Sequence, residues 1–203
     1  VLPEWYKNAE RYYYDKHGVE YDGLKVCVPF LDAMISGYVL VTPIDIEVSL
    51  DEEGKVKLAW DDPGFQPINE RIGLTGHTIP RPAGHAHNHL AWNCQWGWST
   101  PEGYSVLVTH PLNRFELPFT TMSGIVDTED FMGWGNIPFF IREGFTGVIP
   151  AGTPIAQLIP IKRDKWVYAQ SFNSTEPQLQ RSSLLRRGRG VYKKLWRKPK
   201  EYN

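Results

Sequence analysis

Between residues 38 and 50 the chain alternates. Ile44, Ile46, Val48 and Leu50 are apolar, and Asp45, Glu47 and Ser49 separate them. A period of two sends every second side chain to one face, so this stretch predicts a strand with one dry and one wet side. The alternation returns at 55–60, where Val56, Leu58 and Trp60 share a side. Asp51-Glu52-Glu53-Gly54 is turn chemistry, and the two runs predict a β-hairpin. Apolar runs bounded by turn residues predict further strands at 89–98, 104–110, 115–126, 137–142, 155–161 and 166–171. In 147–163 a Pro-Gly turn enters an apolar run, as expected for a buried strand of an all-β domain. About eight short strands at intervals of roughly 10–15 residues suit a sandwich or jelly roll.

Helical periodicity is confined to the ends. At 3–17, Trp5, Ala9, Tyr12 and Tyr13 fall on one helical face, with Pro3-Glu4 as a first turn and Gly18 as a stop. Residues 29–36 predict a short second helix ended by Gly37, and 176–187 a third, capped by Ser174 or Thr175. The Pro- and Gly-rich stretch 61–84 predicts a long irregular connection. The chain therefore reads as mainly β. An antiparallel sandwich or jelly-roll-like domain is expected over 25–172. It is flanked by an N-terminal helical extension at 1–24 and a C-terminal helix with a basic arm at 173–203.

Composition supports this picture. Sixteen Pro and eighteen Gly in 203 residues imply many turns, and eight Trp with ten Tyr suit pleated, half-buried surfaces. No apolar run approaches the roughly 20 residues that span a bilayer, so no membrane partner is expected. Val1-Leu2-Pro3-Glu4-Trp5-Tyr6 lacks the basic-then-apolar pattern of a secretory signal. Cys27 and Cys94 lie far apart with no CxxC spacing, which predicts two buried free thiols and a reducing compartment. The near-neutral net charge hides a polarity. Nine of the 22 basic residues fall between Arg181 and Lys200 with no acid among them, leaving 13 basic against all 23 acidic residues elsewhere.

The sharpest chemical signal is Gly84-His85-Ala86-His87-Asn88-His89. On a strand, His85, His87 and His89 would point to one face and, with His110, could ligate Fe, Zn, Ni or Cu. His110 lies in Pro101-Glu102-Gly103-Tyr104-Ser105-Val106-Leu107-Val108-Thr109-His110-Pro111-Leu112-Asn113, which faintly resembles a cupin segment. Two features depart from that pattern: no Glu follows the His group closely, and the Gly103–His110 spacing is longer. The alternative for these imidazoles is a polar loop. Asp127-Thr128-Glu129-Asp130 offers carboxylates for acid–base work or a hard cation, or an exposed turn. His77 sits alone in a loop. Ser105 lacks the second Gly of a nucleophile elbow, so no catalytic residue is assigned.

Trp92, Cys94, Trp96 and Trp98 would share one strand face, as a core ladder, a subunit contact or a stacking platform. In the tail, Arg186, Arg187, Arg189, Tyr192, Lys193, Lys194, Trp196, Arg197 and Lys198 interleave basic and aromatic side chains. That mixture suits an arm onto an acidic protein neighbour, a grip on nucleic acid, or a solvated tail.

Several stretches resemble an uncharacterised family of tailed bacteriophages, marine cyanophages especially, and of some bacteria. They are Cys27-Val28-Pro29-Phe30-Leu31-Asp32-Ala33-Met34, Thr100-Pro101-Glu102-Gly103-Tyr104-Ser105-Val106-Leu107, Ser123-Gly124-Ile125-Val126-Asp127-Thr128, Asn136-Ile137-Pro138-Phe139-Phe140 and Ile149-Pro150-Ala151-Gly152-Thr153-Pro154-Ile155-Ala156-Gln157. The likeness runs over most of 25–166. Its Gly-Thr-Pro-Ile-Ala-Gln piece is also similar to the turn and strand of dUTPase-type β-clip proteins, without their other motifs. The resemblance implies no activity and does not include the His cluster. Together with the aromatic richness, the long loops, the charge-polarised tail and the lack of a coherent catalytic set, it leads to the expectation of a phage-type structural or accessory protein, in the virion or host cytoplasm, whose partners are virion proteins or further copies of itself. A metal-dependent enzyme and a nucleic-acid-binding tail are the alternatives.

Overall fold

The computed structural model describes residues 2–61, 63–71, 79–131, 135–168 and 190–202. It divides into two units: Gly37–Arg163, and Val1–Ser36 together with Asp164–Asn203.

In the terminal unit the expected long helix is cut short. Helix α1 covers Glu4–Asn8, and a hairpin of β1 (Tyr12–Tyr14) and β2 (Glu20–Asp22) replaces the rest. Three consecutive tyrosines favour extended backbone. Asp15 then builds the turn, its Oδ1 accepting the His17 and Val19 N–H groups at 2.8 and 2.9 Å. Gly18 adopts φ 77° there, which side-chain-bearing residues resist. Helix α2 (Val28–Ile35) forms close to expectation. Its Phe30 ring packs on Tyr6 and Trp5 of α1, with centroids 6.1 and 6.2 Å apart.

The β body departs most from the sequence pattern at 38–50. That run is two strands, β3 (Tyr38–Val41) and β4 (Ile46–Leu50), in different sheets. Pro43 cannot donate to a ladder, and the chain turns a corner there. The hairpin forms as expected, β4 pairing with β5 (Val56–Ala59). Asp51 Oδ1 accepts the Glu53 and Lys55 N–H groups across its turn. The irregular 61–84 stretch contains a strand, β6 (Ile68–Glu70). Strand β7 (Leu90–Asn93) and β8 (Tyr104–Thr109) follow. The single strand expected at 115–126 is also two, β9 (Phe119–Thr121) and β10 (Gly124–Val126), again in different sheets. Strands β11 (Asn136–Ile141), β12 (Gly147–Ile149) and β13 (Pro154–Lys162) complete the body. Trp166–Tyr168 forms no strand, contrary to expectation; the rest of 166–171 and the helix expected at 176–187 lie outside the described residues. The tail closes with α3 (Val191–Leu195).

All pairings are antiparallel, and the sheet orders are β10-β8-β13-β3, β6-β7-β11-β9 and β12-β4-β5. The inner faces meet in one apolar core, as a mainly β sandwich requires. At its centre Trp92 stacks on Phe139 at 3.8 Å, with the Phe119 ring edge-on to both. Such ring pairs add about 0.5–1.5 kcal/mol each beyond area burial.

Strands β3 and β4 run antiparallel to β13 and β12 as one long ribbon that bends from one sheet to another. Ile46 faces Ile149 on one side of the bend and Val41 faces Pro154 on the other. The corners are bonded together: Thr42 N–H donates to Thr153 O, Gly152 N–H to Thr42 O, and Ala151 N–H to Asp45 Oδ1. A buried polar chain joins the sheets elsewhere. Thr121 Oγ1 accepts from Trp92 Nε1 at 3.3 Å and donates to Ile155 O at 2.6 Å, and its N–H donates to His110 Nδ1 at 3.2 Å.

Both cysteines are free. Cys94 is buried, as expected, but Cys27 is exposed, because the segment before α2 leaves it uncovered.

Candidate functional site

The four candidate metal ligands fall in different environments. His85 makes only an isolated bridge to Arg142, and no strand carries His87, so the three closely spaced imidazoles do not share a strand face. His85 bonds Ala83 O through Nδ1 and Thr120 Oγ1 through Nε2. His87 Nε2 accepts from Arg81 at 3.0 Å. His110 accepts from the Thr121 N–H and donates from Nε2 to Arg114 O. A metal ligand needs a free in-plane lone pair, and these contacts occupy one on each of the three rings. His89 differs. It is buried, stacks face-on against Phe140 at 5.0 Å, and neither ring nitrogen has a partner among the described residues. Burial and the nearby Arg71 charge push its pKa down, favouring the neutral ring. Among the described residues, no three of His, Cys, Asp and Glu converge as a metal site. His77 lies outside the described residues.

The acidic turn after β10 is a staple. Asp127 Oδ1 accepts from Ser105 Oγ at 2.6 Å and from Arg163 at 3.4 Å. Glu129 pairs with the same guanidinium and accepts the Gly103 N–H. These contacts hold both carboxyls below their usual range, led by the Ser105 hydroxyl for Asp127 and by Arg163 for Glu129. Both acids are thereby favoured in the ionised form and tied to the start of β8 and the chain leaving β13. Thr128 between them is buried on Thr100, and Asp130 points outward.

The tryptophan ladder stops early because β7 ends at Asn93. Trp92 and Cys94 belong to the core, Trp98 is half-buried, and Trp96 is exposed. In the tail, Arg197 is engaged within its own unit. Its guanidinium meets both carboxylate oxygens of Asp32 at 2.7 and 3.3 Å, and Lys200 Nζ adds a contact at 2.9 Å. Led by the Arg197 hydrogen bonds, these contacts lower the Asp32 pKa to about 2. Lys193, Lys194 and Lys198 are exposed, and Tyr192 and Trp196 are half-buried. Arg186, Arg187 and Arg189 lie outside the described residues. The sequence reading missed Asp32. A lone acid within the apolar run Val28-Pro29-Phe30-Leu31-Asp32-Ala33-Met34-Ile35 was the available signal, since a buried charge requires a partner.

Two surface features complete the description. After β13 the chain presents Trp166, Val167 and Tyr168, whose exposures are 87, 89 and 85 %. On the β body, an open groove of about 580 Å³ lies between the hairpin strand β5 and strand β6, lined by Lys57, Leu58, Trp60, Ile68, Glu70 and Asn88 among others. Among the described residues each strand is the edge of its sheet. Asn88 reaches both sides at one place, its Oδ1 accepting the Val56 N–H at 3.2 Å and its Nδ2 donating to Glu70 Oε1 at 3.3 Å.

Comparison with protein-family models and with curated proteins finds no match to this chain. No described helix is long and apolar enough to cross a membrane.

Proposed function

We propose that this chain is a phage-type structural or accessory protein that works through protein–protein contacts rather than catalysis. The observation that carries the reading is the exposed Trp166-Val167-Tyr168 stretch. Adjacent large apolar side chains as exposed as Trp166 and Val167 are uncommon on monomeric proteins, and such clusters mark contact surfaces. All three types favour extended backbone, which suits pairing with another strand. The sequence resemblance to tailed-phage proteins supports the viral setting.

The test is mass spectrometry of purified particles from the virus that encodes the chain, with cross-linking to identify neighbours. The chain is expected in the particles, cross-linked through peptides that include Lys165. A chain absent from particles and monomeric in lysate overturns the reading.

A further inference from the structure

The hydrogen-bond pattern of the two edge strands shows what their groove lacks. Asp51 N–H donates to Lys55 O, so Ser49/Lys57 and Glu47/Ala59 are the hydrogen-bonded pairs of β4 and β5. Val56 and Leu58 therefore turn their backbone groups away from β4. On the other wall, Asn93 N–H donates to Pro67 O and Arg71 N–H to His89 O. Asn69 accordingly exchanges bonds with Ala91, and Ile68 and Glu70 turn their backbone groups away from β7. Two strand edges thus line one groove. Of the outward groups, the Val56 N–H is met by the Asn88 carboxamide, a side-chain stand-in for a peptide unit. The backbone groups of Leu58, Ile68 and Glu70 have no partner among the described residues.

We infer that the groove between β5 and β6 seats an extended segment of a second copy of this chain, residues 164–168, as an added strand. The inference rests on the contact reading above and names the surface that receives the stretch. Free strand edges are templates for strand addition. The segment forms no helix or strand of its own, is rich in β-favouring residue types and is free of Pro and Gly. Its apolar residues match the half-buried Leu58 and Trp60 in the groove. Its one cation has a counter-charge on the receiving wall. Lys165 precedes Trp166, and the exposed Glu70 carboxylate on the receiving wall is met only by the neutral Asn88 amide among the described residues.

The test uses the full chain in a Cys27→Ser background, with Lys57→Cys in one preparation and Val167→Cys in the other. Mixing under mild oxidation is expected to give a disulfide-linked pair containing one of each. Trp166→Ala in the Val167→Cys chain is expected to cut the yield about tenfold, the equivalent of about 1.4 kcal/mol of lost contact. Sedimentation of the unmodified protein runs in parallel. Oligomers without the mixed disulfide overturn the groove assignment and leave the contact reading standing. A monomer at every soluble concentration overturns the second-copy occupant, while the particle measurement still judges the contact reading by itself. A cross-link of equal yield with Trp166→Ala shows proximity without docking and also overturns the inference.

Discussion

Asp32 and Arg197 lie 165 positions apart and meet at two points, one carboxylate oxygen to each of two guanidinium nitrogens. The acid is buried in helix α2, so the pair with Lys200 is what keeps the basic tail against it. Asp32→Asn removes the charge and leaves two cations facing an amide. Hydrogen bonds to charged groups contribute about 1.5–3 kcal/mol each. Trypsin is therefore expected to cut the Asp32→Asn variant faster at Lys193, Lys194 and Lys198 than the parent. The pH sign follows from the depressed carboxyl. The contact holds fully above the ordinary Asp value of 3.8 and is lost as pH falls through about 2. Tail cleavage by an acid-tolerant protease should rise only in that window.

Thr121 is the buried hub between sheets. Thr121→Val keeps the shape but orphans the Trp92 N–H and the Ile155 carbonyl. Leaving a buried group unpaired costs about 1–3 kcal/mol. Urea unfolding is expected to show a loss in that range or above, with Thr121→Ser recovering most of it. A Thr121→Val variant as stable as the parent would remove the hub role.

His89 and His110 are both held below the ordinary imidazole value of 6.5, chiefly by burial. The folded state prefers them neutral. Stability is therefore full above 6.5 and falls with decreasing pH below it, by up to about 1.4 kcal/mol per pH unit for each ring until its folded pKa is reached. Denaturation midpoints at pH 7 and pH 5 should differ accordingly. His89→Phe preserves an aromatic face for Phe140 and is expected to shrink the difference.

The cysteines should separate cleanly by reactivity. Burial pushes the Cys94 thiol up to about 12, so little thiolate forms at neutral pH. Cys27 is exposed. One equivalent of iodoacetamide label is expected on the native protein, at Cys27, and two after denaturation. Labelling at Cys94 under native conditions would show that the core opens there.

Gly37 sits at φ 67°, and an added Cβ would clash with the Leu158 carbonyl oxygen. Gly37→Ala combines strain with a backbone clash, and about 2 kcal/mol or more of destabilisation is expected by thermal melting.

The strand content was legible because period-two alternation and Gly turns are local signals. Val56, Leu58 and the Asp51–Gly54 turn alone define the hairpin. Sheet membership was not legible. The apolar run containing Tyr38 and Leu50 reads as one strand, and only its tertiary pairing shows that Pro43 divides it between two sheets. Tyr12 and Tyr13 fit a helical face equally well, and the Asp15 turn decides for a hairpin. For the candidate sites, His85 and His87 are close in sequence but bond to Thr120 and Arg81, partners that spacing cannot reveal. The strand edges at Leu58 and Ile68 exist only once the sheets are assembled.

The bonded corner at Thr42 and Gly152 has a consequence for how the β body comes apart. One ribbon supplies strands to two sheets, so neither sheet can melt while the other survives intact. Heat or urea should therefore disassemble this unit in a single cooperative transition, with near- and far-ultraviolet signals changing together.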